Sequence, residues 1–331
     1  MAAELKLLAL PGDGIGPEIV AATLRVLDAL GLPAQVETAE IGFAALEATG
    51  STIPDAVIAK AQAADGVILG PVSHNAYPPR DHGGLNPSGV LRRALDLYAN
   101  IRPARVWPGV AAPIAAPVDL VIARENLEGF YADRNMHEGP GEVMPVPGVA
   151  LATRKITEAA SRRIAKAAFA LAEGRPARRV TAVHKANVMR LSDGLFLDTV
   201  RDVAAAHLVL SPQRFDVIVT TNMFGDILSD LASALTGGLG LAGSLNHGET
   251  HAVAQAQHGS APDIAGQDRA NPSSLILSLA MLLRHRGHGA AADRIEAALA
   301  ACLSEPAQRT QDLGGPLGTT AFTDQLIEHL T

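Results

Sequence analysis

Cysteine is nearly absent from the chain, and its one representative, Cys302, can form no intrachain disulfide. The apolar neighbours Ala301 and Leu303 mark it as a small buried hydrophobe, and a reducing compartment, the cytoplasm, is expected. Aromatic residues are sparse at 3% while alanine is abundant, which favours a helix-rich α/β protein over a β-sandwich. Positive charge is in deficit: the formal net charge is -7 and no Lys/Arg run or basic tail occurs. An extended nucleic-acid surface is thereby excluded, although a local basic pocket for a small anion remains open. No apolar run approaches the roughly 20 residues that span a bilayer, so no membrane partner is expected. The opening Leu5 to Leu10 is too short for a signal peptide and runs into a glycine turn, as a first strand does. Internal repeats and low-complexity segments are also missing.

At 331 residues the chain can bury one large core or two moderate ones, so two domains or one bilobal unit is expected. Short apolar runs alternate with helical patterns. Strands are expected at Lys6 to Leu10, Gly66 to Gly70, Leu120 to Ala123, Val180 to Val183 and Phe215 to Thr220. Helices are expected at Pro17 to Leu30, Leu91 to Leu97, Ile156 to Ala172 and Gly194 to His207, with a mainly helical C-terminal part from Asn271. This rhythm gives an α/β fold with an open, mostly parallel sheet covered on both faces. Two Pro- and Gly-rich loops, Gly70 to Gly89 and Gly139 to Gly148, suggest a substrate loop and an arm to a partner subunit.

Three features carry chemistry. Pro11-Gly12-Asp13-Gly14-Ile15-Gly16-Pro17-Glu18 follows a strand and opens a helix, so its glycines either bring backbone close to a ligand or simply make a tight turn. It is not a dinucleotide fingerprint, because Pro17 stands where GxGxxG needs glycine, which argues against a standard Rossmann reading. Asp226 and Asp230 lie four residues apart behind a strand-like run, which on a helix stacks both carboxylates on one face. They form either a solvated stripe or a pair of hard oxygen ligands for a divalent cation. Arg92, Arg102 and Arg124 occur near the ends of apolar segments, where open sheets place ligand sites; together they suit a di- or tricarboxylic acid, and singly each reads as a structural arginine.

The motifs PGDGIGPE at the start, LDLYANIRP at 95–103, ARENLEGFY at 123–131, HKAN at 184–187, TTNMFGDILSDLAS at 220–233 and HGSAPDIAG at 258–266 occur in order over nearly the whole chain. On these residues the chain resembles the isocitrate/isopropylmalate dehydrogenases, metal-dependent β-decarboxylating dehydrogenases of malate-type acids. The resemblance implies a fold that is not a classical Rossmann domain, with a large domain of residues 1–98 plus 237–331 and a smaller one of 99–236, in a homodimer with shared active sites. It also implies that Arg92, Arg102 and Arg124 clamp the malate carboxylates and that Asp226 and Asp230 hold Mg²⁺ or Mn²⁺. Lys185, donated by the other subunit, helps deprotonate the substrate hydroxyl, and Tyr131 reprotonates the enol product. His258, Gly259, Ser260, Ala261, Asp263, Ile264 and Asn271 are expected around the nucleotide, with Asn187 also on the cofactor. Asp263-Ile264 points to NAD, since an aspartate accepts from ribose hydroxyls and repels a 2′-phosphate.

Two departures from the family pattern stand out. Between Lys185 and Asp226 the chain is shorter than its relatives by about one strand and a turn. Family members take a third metal aspartate from the partner subunit; Asp202 keeps the family spacing to Asp226 and is the candidate, and if residues 201–204 instead continue the preceding helix, Asp202 is merely solvated. Loss of a strand would expose a sheet edge and impair stability or dimerisation. The second departure is Ser88 and Gly89 where isopropylmalate enzymes carry leucines, preceded by Asn86, which with Ser88 repeats the polar pair of isocitrate enzymes in reversed order. A polar substituent therefore suits the site better than isopropyl, leaving isocitrate, homoisocitrate, tartrate and D-malate open, with His74, Asn75, Tyr77 and Arg80 as further candidate contacts. Alternative expectations are an isopropylmalate dehydrogenase, a non-catalytic regulatory paralogue and, far behind, a general sugar- or phosphate-binding protein.

Overall fold

The first strand, Leu5–Leu10, is apolar in nearly every position because both of its faces are covered: Leu7 and Ala9 pack into one hydrophobic cluster, Leu8 and Leu10 into another. The computed structural model describes residues 4–112, 118–130, 141–208 and 216–330. In chain order the elements are β1 (Leu5–Leu10), α1 (Gly16–Ala29), β2 (Ala34–Thr38), α2 (Gly42–Thr49), α3 (Asp55–Ala63), β3 (Gly66–Leu69), α4 (Pro87–Ala94), β4 (Ala99–Arg105) and β5 (Asp119–Glu125). They continue with β6 (Glu142–Val146), β7 (Val149–Ala152), α5 (Glu158–Glu173), β8 (Val180–Val183), α6 (Ser192–Leu208), β9 (Val217–Thr220) and α7 (Asn222–Leu235). The last are β10 (Leu245–His247), β11 (Ala252–Gln255), α8 (Ser273–His285), α9 (Gly289–Ser304) and α10 (Thr319–Glu328).

The main sheet has the order β2-β1-β3-β11-β10-β4-β5-β9-β8. Its two ends are parallel, while β11, β10, β4 and β5 form an antiparallel centre, so the mostly parallel sheet expected from the sequence is present with a mixed middle. Helices α1, α8, α9 and α10 bury one cluster against the first half of the sheet, whose opposite face carries residues from α3 and α4. A further cluster joins β4, β5 and β9 to α5 and α6. β6 and β7 form a separate antiparallel hairpin, with Val143, Met144, Val146, Val149 and Leu151 all exposed. Among the described residues no helix is long and apolar enough to cross a membrane. Cys302 is buried, and burial pushes its thiol up to about 11.

Local chemistry sets the element ends. α1 opens with Pro17 and Glu18 in its first turn, where a missing N–H is harmless and negative charge meets the helix dipole. α4 begins at Pro87, four residues before the expected Leu91, because the Asn86 side chain accepts a hydrogen bond from Gly89 N at 3.2 Å. It also stops short of the expected Leu97, and Asp96 turns the chain with a φ of 46°. α6 runs unbroken from Ser192 to Leu208, and β8 pairs only with β9 among the described residues, which leaves it at the edge of the sheet.

The glycine turn after β1 is a packing device. Gly12 and Gly14 have φ of 76° and 58°, and a Cβ on either would collide with the carbonyl of Pro71 or of Ser260. Asp13 accepts from Phe43 N at 2.9 Å, from Ser73 N at 2.8 Å and from the Tyr77 hydroxyl, so the turn is fastened to the first turn of α2 and to the loop after β3. Tyr77, a candidate substrate contact, is thus committed to Asp13; burial, followed by the bond to Asp13, pushes its phenol up.

Candidate active site

A cavity of about 290 Å³ opens above the centre of the sheet and is walled by Arg92, Arg102, Arg124, Asp226, Asn86 and Ser88, with His74, Gln255, Gln257, His258 and Gly259 completing it. Arg92 comes from α4, Arg102 and Arg124 from the adjacent strands β4 and β5, and Asp226 from α7, which crosses the ends of those strands. The expectation that three arginines spread over 33 positions share a pocket with the first aspartate is thus met geometrically.

Arg102 is 8% exposed, and its Nη1 donates to Ser229 Oγ at 2.7 Å, to Asp226 Oδ1 at 3.2 Å and to Asp230 Oδ1 at 3.4 Å. Burial and the like charge of Arg124 lower its pKa to about 10. Arg124 is 2% exposed; its Nε and Nη2 donate to Asn222 Oδ1 at 3.0 and 2.6 Å, and its Nη1 donates to Asp226. Burial alone would raise the pKa of Asp226, but Arg124, Arg102 and Arg92 outweigh it and hold the carboxyl below its usual range. Asp226 is therefore an anion inside a cationic ring. Asp230, one turn further on, accepts from Gln257 Nε2 at 3.0 Å and is more exposed.

The two carboxylates are hard oxygen donors on one helix face, suited to Mg²⁺ or Mn²⁺. Among the described residues no group of three His, Cys, Asp or Glu converges. Asp202, the ligand expected from the partner subunit, lies in the continuous helix α6, exposed, with Oδ2 3.9 Å from Arg162 Nη2.

Ser88 is buried and donates to Gln255 Oε1 at 3.0 Å, an oxygen that also accepts from Asn246 Nδ2 at 3.2 Å. The polar wall is thus continuous from α4 to β11. Gln255 and Gln257 were not singled out from the sequence; their position immediately before HGSAPDIAG, alternating along a strand end, is the signal that could have found them. Asn75 and Arg80 do not line the cavity, whereas His74 does.

On the cofactor side, His258 Nδ1 lies 3.0 Å from Gly259 O, and its buried Nε2 has no hydrogen-bond partner among the described residues. Burial lowers its pKa, so the ring is neutral near pH 7. An unsatisfied buried nitrogen beside an open loop fits a heteroaromatic ligand such as adenine. Ser260 shares a 2.7 Å hydrogen bond with Ser73 Oγ, joining this loop to the substrate loop. Ala261 has a φ of 37° and leads into the short turn Pro262–Ile264, on which Asp263 is exposed. Asn271 is already engaged, donating to Asp312 Oδ2 at 3.0 Å and accepting from Ser273 N at 3.0 Å. Lys185 and Asn187 stand on an exposed turn after β8 and do not line the cavity of their own subunit. Tyr131 lies outside the described residues.

Comparison with known proteins agrees with this geometry. A family model described as isocitrate/isopropylmalate dehydrogenase matches residues 6–330. The chain belongs to that family. It is 45% identical over 337 residues to an isocitrate/homoisocitrate dehydrogenase of Thermus thermophilus, covering 96% of each chain. It is 40% identical over 341 residues to a 3-isopropylmalate dehydrogenase of Archaeoglobus fulgidus, covering 98% of this chain and 99% of the relative. Among solved structures, an isocitrate dehydrogenase from Methylococcus capsulatus superposes with a TM-score of 0.87 at 39% identity, over 98% of this chain and 99% of that one. The family membership makes the chain an oxidoreductase of the metal-dependent, decarboxylating hydroxy-acid type.

Proposed function

We propose that the protein is an NAD-dependent, Mg²⁺- or Mn²⁺-dependent dehydrogenase that oxidises and decarboxylates a 3-substituted (R)-malate-type acid with a polar substituent, in the isocitrate, homoisocitrate, tartrate or D-malate class. The observation that carries this reading is the single cavity in which Arg92, Arg102 and Arg124 face Asp226 beside the polar wall of Ser88 and Asn86.

The arginines bind the substrate carboxylates. Arg124 is preoriented by Asn222 and Arg102 by Ser229, so neither fork has to search for its geometry. Both now rest on Asp226; substrate carboxylates arriving at the forks would take over those donors and free the aspartate for a cation. Asp226 and Asp230 would hold the cation, which would supply positive charge where negative charge builds on the substrate oxygens, and the His258 to Ile264 loop would hold NAD, which would supply the hydride acceptor. Lys185 of a second copy of the chain takes up the hydroxyl proton as C2 is oxidised. The resulting β-keto acid loses CO₂, and Tyr131 donates the proton that C3 then requires.

The dimer in this reading is supported by apolar residues left in water. Leu191 and Leu195 near the start of α6, and Ile227 and Leu231 on α7, repeat at i,i+4 and are exposed. Ile227 and Leu231 directly follow Asp226 and Asp230 in sequence, so a second copy seated on that face would bring its own residues to the open side of the acids. Steady-state assay of the purified protein with NAD and Mn²⁺ across a panel of malate analogues tests the reading: it requires metal-dependent NADH formation, fastest with a polar substituent. Faster turnover of 3-isopropylmalate would replace it by the isopropylmalate reading. A second reading, a non-catalytic paralogue, is favoured by the unbroken helix that strands Asp202, and it requires metal and NADH binding without turnover.

A further inference from the structure

The turn that carries Lys185 is held from inside the subunit by a buried ion pair that neither touches the cavity nor follows from any motif read above. Arg154 and Asp193 have side chains 7% and 0% exposed, and Arg154 Nη1 lies 2.5 Å from Asp193 Oδ1. The second carboxylate oxygen, Oδ2, accepts from the backbone N–H of Lys185 at 2.5 Å. The carbonyl of Lys185 in turn accepts from Val188 N at 3.0 Å and Met189 N at 2.9 Å. The lysine backbone is thus fixed on both sides while its side chain points into solvent.

Arg154 also reaches past Asp193. Its Nη1 donates to Ser192 Oγ at 3.0 Å, and its Nη2 donates to Thr221 Oγ1 at 3.0 Å, the residue immediately before α7 and its two aspartates. Its guanidinium carbon lies 5.6 Å from the Phe130 ring centre and 5.5 Å from that of Phe224, between the segment that leads to Tyr131 and the first turn of α7. Burying two charges is an inefficient way to gain stability, since an apolar pair of similar volume does as well or better. What the fork does that an apolar pair cannot is fix the direction of three separate segments at once.

We propose that Arg154 and Asp193 are positioning residues for Lys185, setting the backbone from which the lysine leaves its subunit in register with the helix that carries Asp226 and Asp230. The proposal rests on the reading of Lys185 as the acceptor of the substrate's hydroxyl proton. Its test is a double-mutant cycle on the full-length protein with NAD and Mn²⁺, using Asp193→Asn, Arg154→Lys and Lys185→Ala, with residual turnover and thermal midpoint measured for each. Asp193→Asn or Arg154→Lys alone is expected to lower kcat by roughly 10–100-fold and to move KM for acid and NAD by no more than about threefold. In the Lys185→Ala background the same substitutions are expected to cost nothing further. Additive losses in that background, a raised KM at unchanged kcat, or a lowered midpoint with full kcat would each overturn the positioning role. Full kcat in Lys185→Ala alone would instead remove the lysine's role, a failure separable from the others. Should the single variants not fold, Arg154→Met with Asp193→Leu keeps the volume without the fork, and it is expected to fold and to show the same kcat loss; full turnover there would refute the proposal.

Discussion

Gly225 lies directly beneath the side chain of Arg124: a methyl group placed on it would stand 2.6 Å from Arg124 Cγ and 2.7 Å from Cβ. Neither atom is a mobile side-chain end, so the arginine can reach Asn222 and Asp226 only because position 225 is bare. Gly225→Ala is expected to cost about 1–3 kcal/mol in stability despite alanine's better helix propensity. The displaced fork should raise KM for the acid by about 10–100-fold with little change for NAD. Chemical denaturation and steady-state kinetics read the two effects separately.

Replacing Asp226 by Asn removes the charge that the ring of arginines stabilises while leaving the side chain's shape. Manganese titration by electron paramagnetic resonance should show affinity lowered by about 10–100-fold, and turnover should be lost with the fold intact by circular dichroism. Chelation of the wild-type protein should mimic the kinetic loss and be reversed by added metal.

Ser88 donates into the polar wall through Gln255, so Ser88→Leu deprives that oxygen of one of its two donors and adds apolar surface. The ratio of kcat/KM for 3-isopropylmalate over that for isocitrate is expected to rise by roughly 10–200-fold. An unchanged ranking would show that this wall does not meet the substituent.

Ile227→Glu puts a charge in the middle of the apolar strip on α7. Light scattering should show monomer at micromolar concentration, consistent with an interfacial loss of about 2 kcal/mol or more. Activity should fall with it, because Lys185 then has no neighbouring cavity to enter.

Glu125 gives a signed pH effect. Burial raises its pKa from 4.5 to about 7, although the backbone N–H groups of Glu128 and Leu127 oppose the shift. The folded protein therefore keeps a proton that the unfolded chain releases, and this group's contribution is full below pH 4.5 and lost as the pH rises to 7. In Glu125→Gln that loss is absent. The difference in unfolding free energy, variant minus wild type, should grow by on the order of 3 kcal/mol between those limits and level off above. His247, His258 and His285, whose pKa values burial lowers, act with the opposite sign and cancel in the difference.

Much of the scaffold was legible because its strands are short apolar runs with nothing else to become. β3 and β8 were located to within a residue, and α1, α5 and α6 to within about two. β4 was less visible, since Asn100, Arg102 and Pro103 break its pattern; in the fold Asn100 Nδ2 donates at 2.8 Å to Ser244 Oγ and at 3.0 Å to Asn246 Oδ1. β10 has only three residues, one of them a buried asparagine, and no local signal identifies such a strand.

That Arg92, Arg102, Arg124 and Asp226 meet at one cavity was legible because each stands at a segment end or on a helix face. Arg154 and Asp193 were not, because nothing in the spacing of 39 residues says that the two side chains meet in the interior. Asp202 keeps its interval to Asp226 yet stands in an unbroken helix, which spacing alone does not reveal.

Strand β4 alternates its side chains across the sheet, so Arg102 faces the cavity it shares with Arg92 and Arg124 while Ile101, Pro103 and Arg105 line a second hollow of about 490 Å³ behind it. Front and back are therefore separated by a single ribbon of peptide. Ile101 and Pro103 leave the peptide on either side of Arg102, so the shape of the rear hollow and the aim of that guanidinium are set by one stretch of main chain.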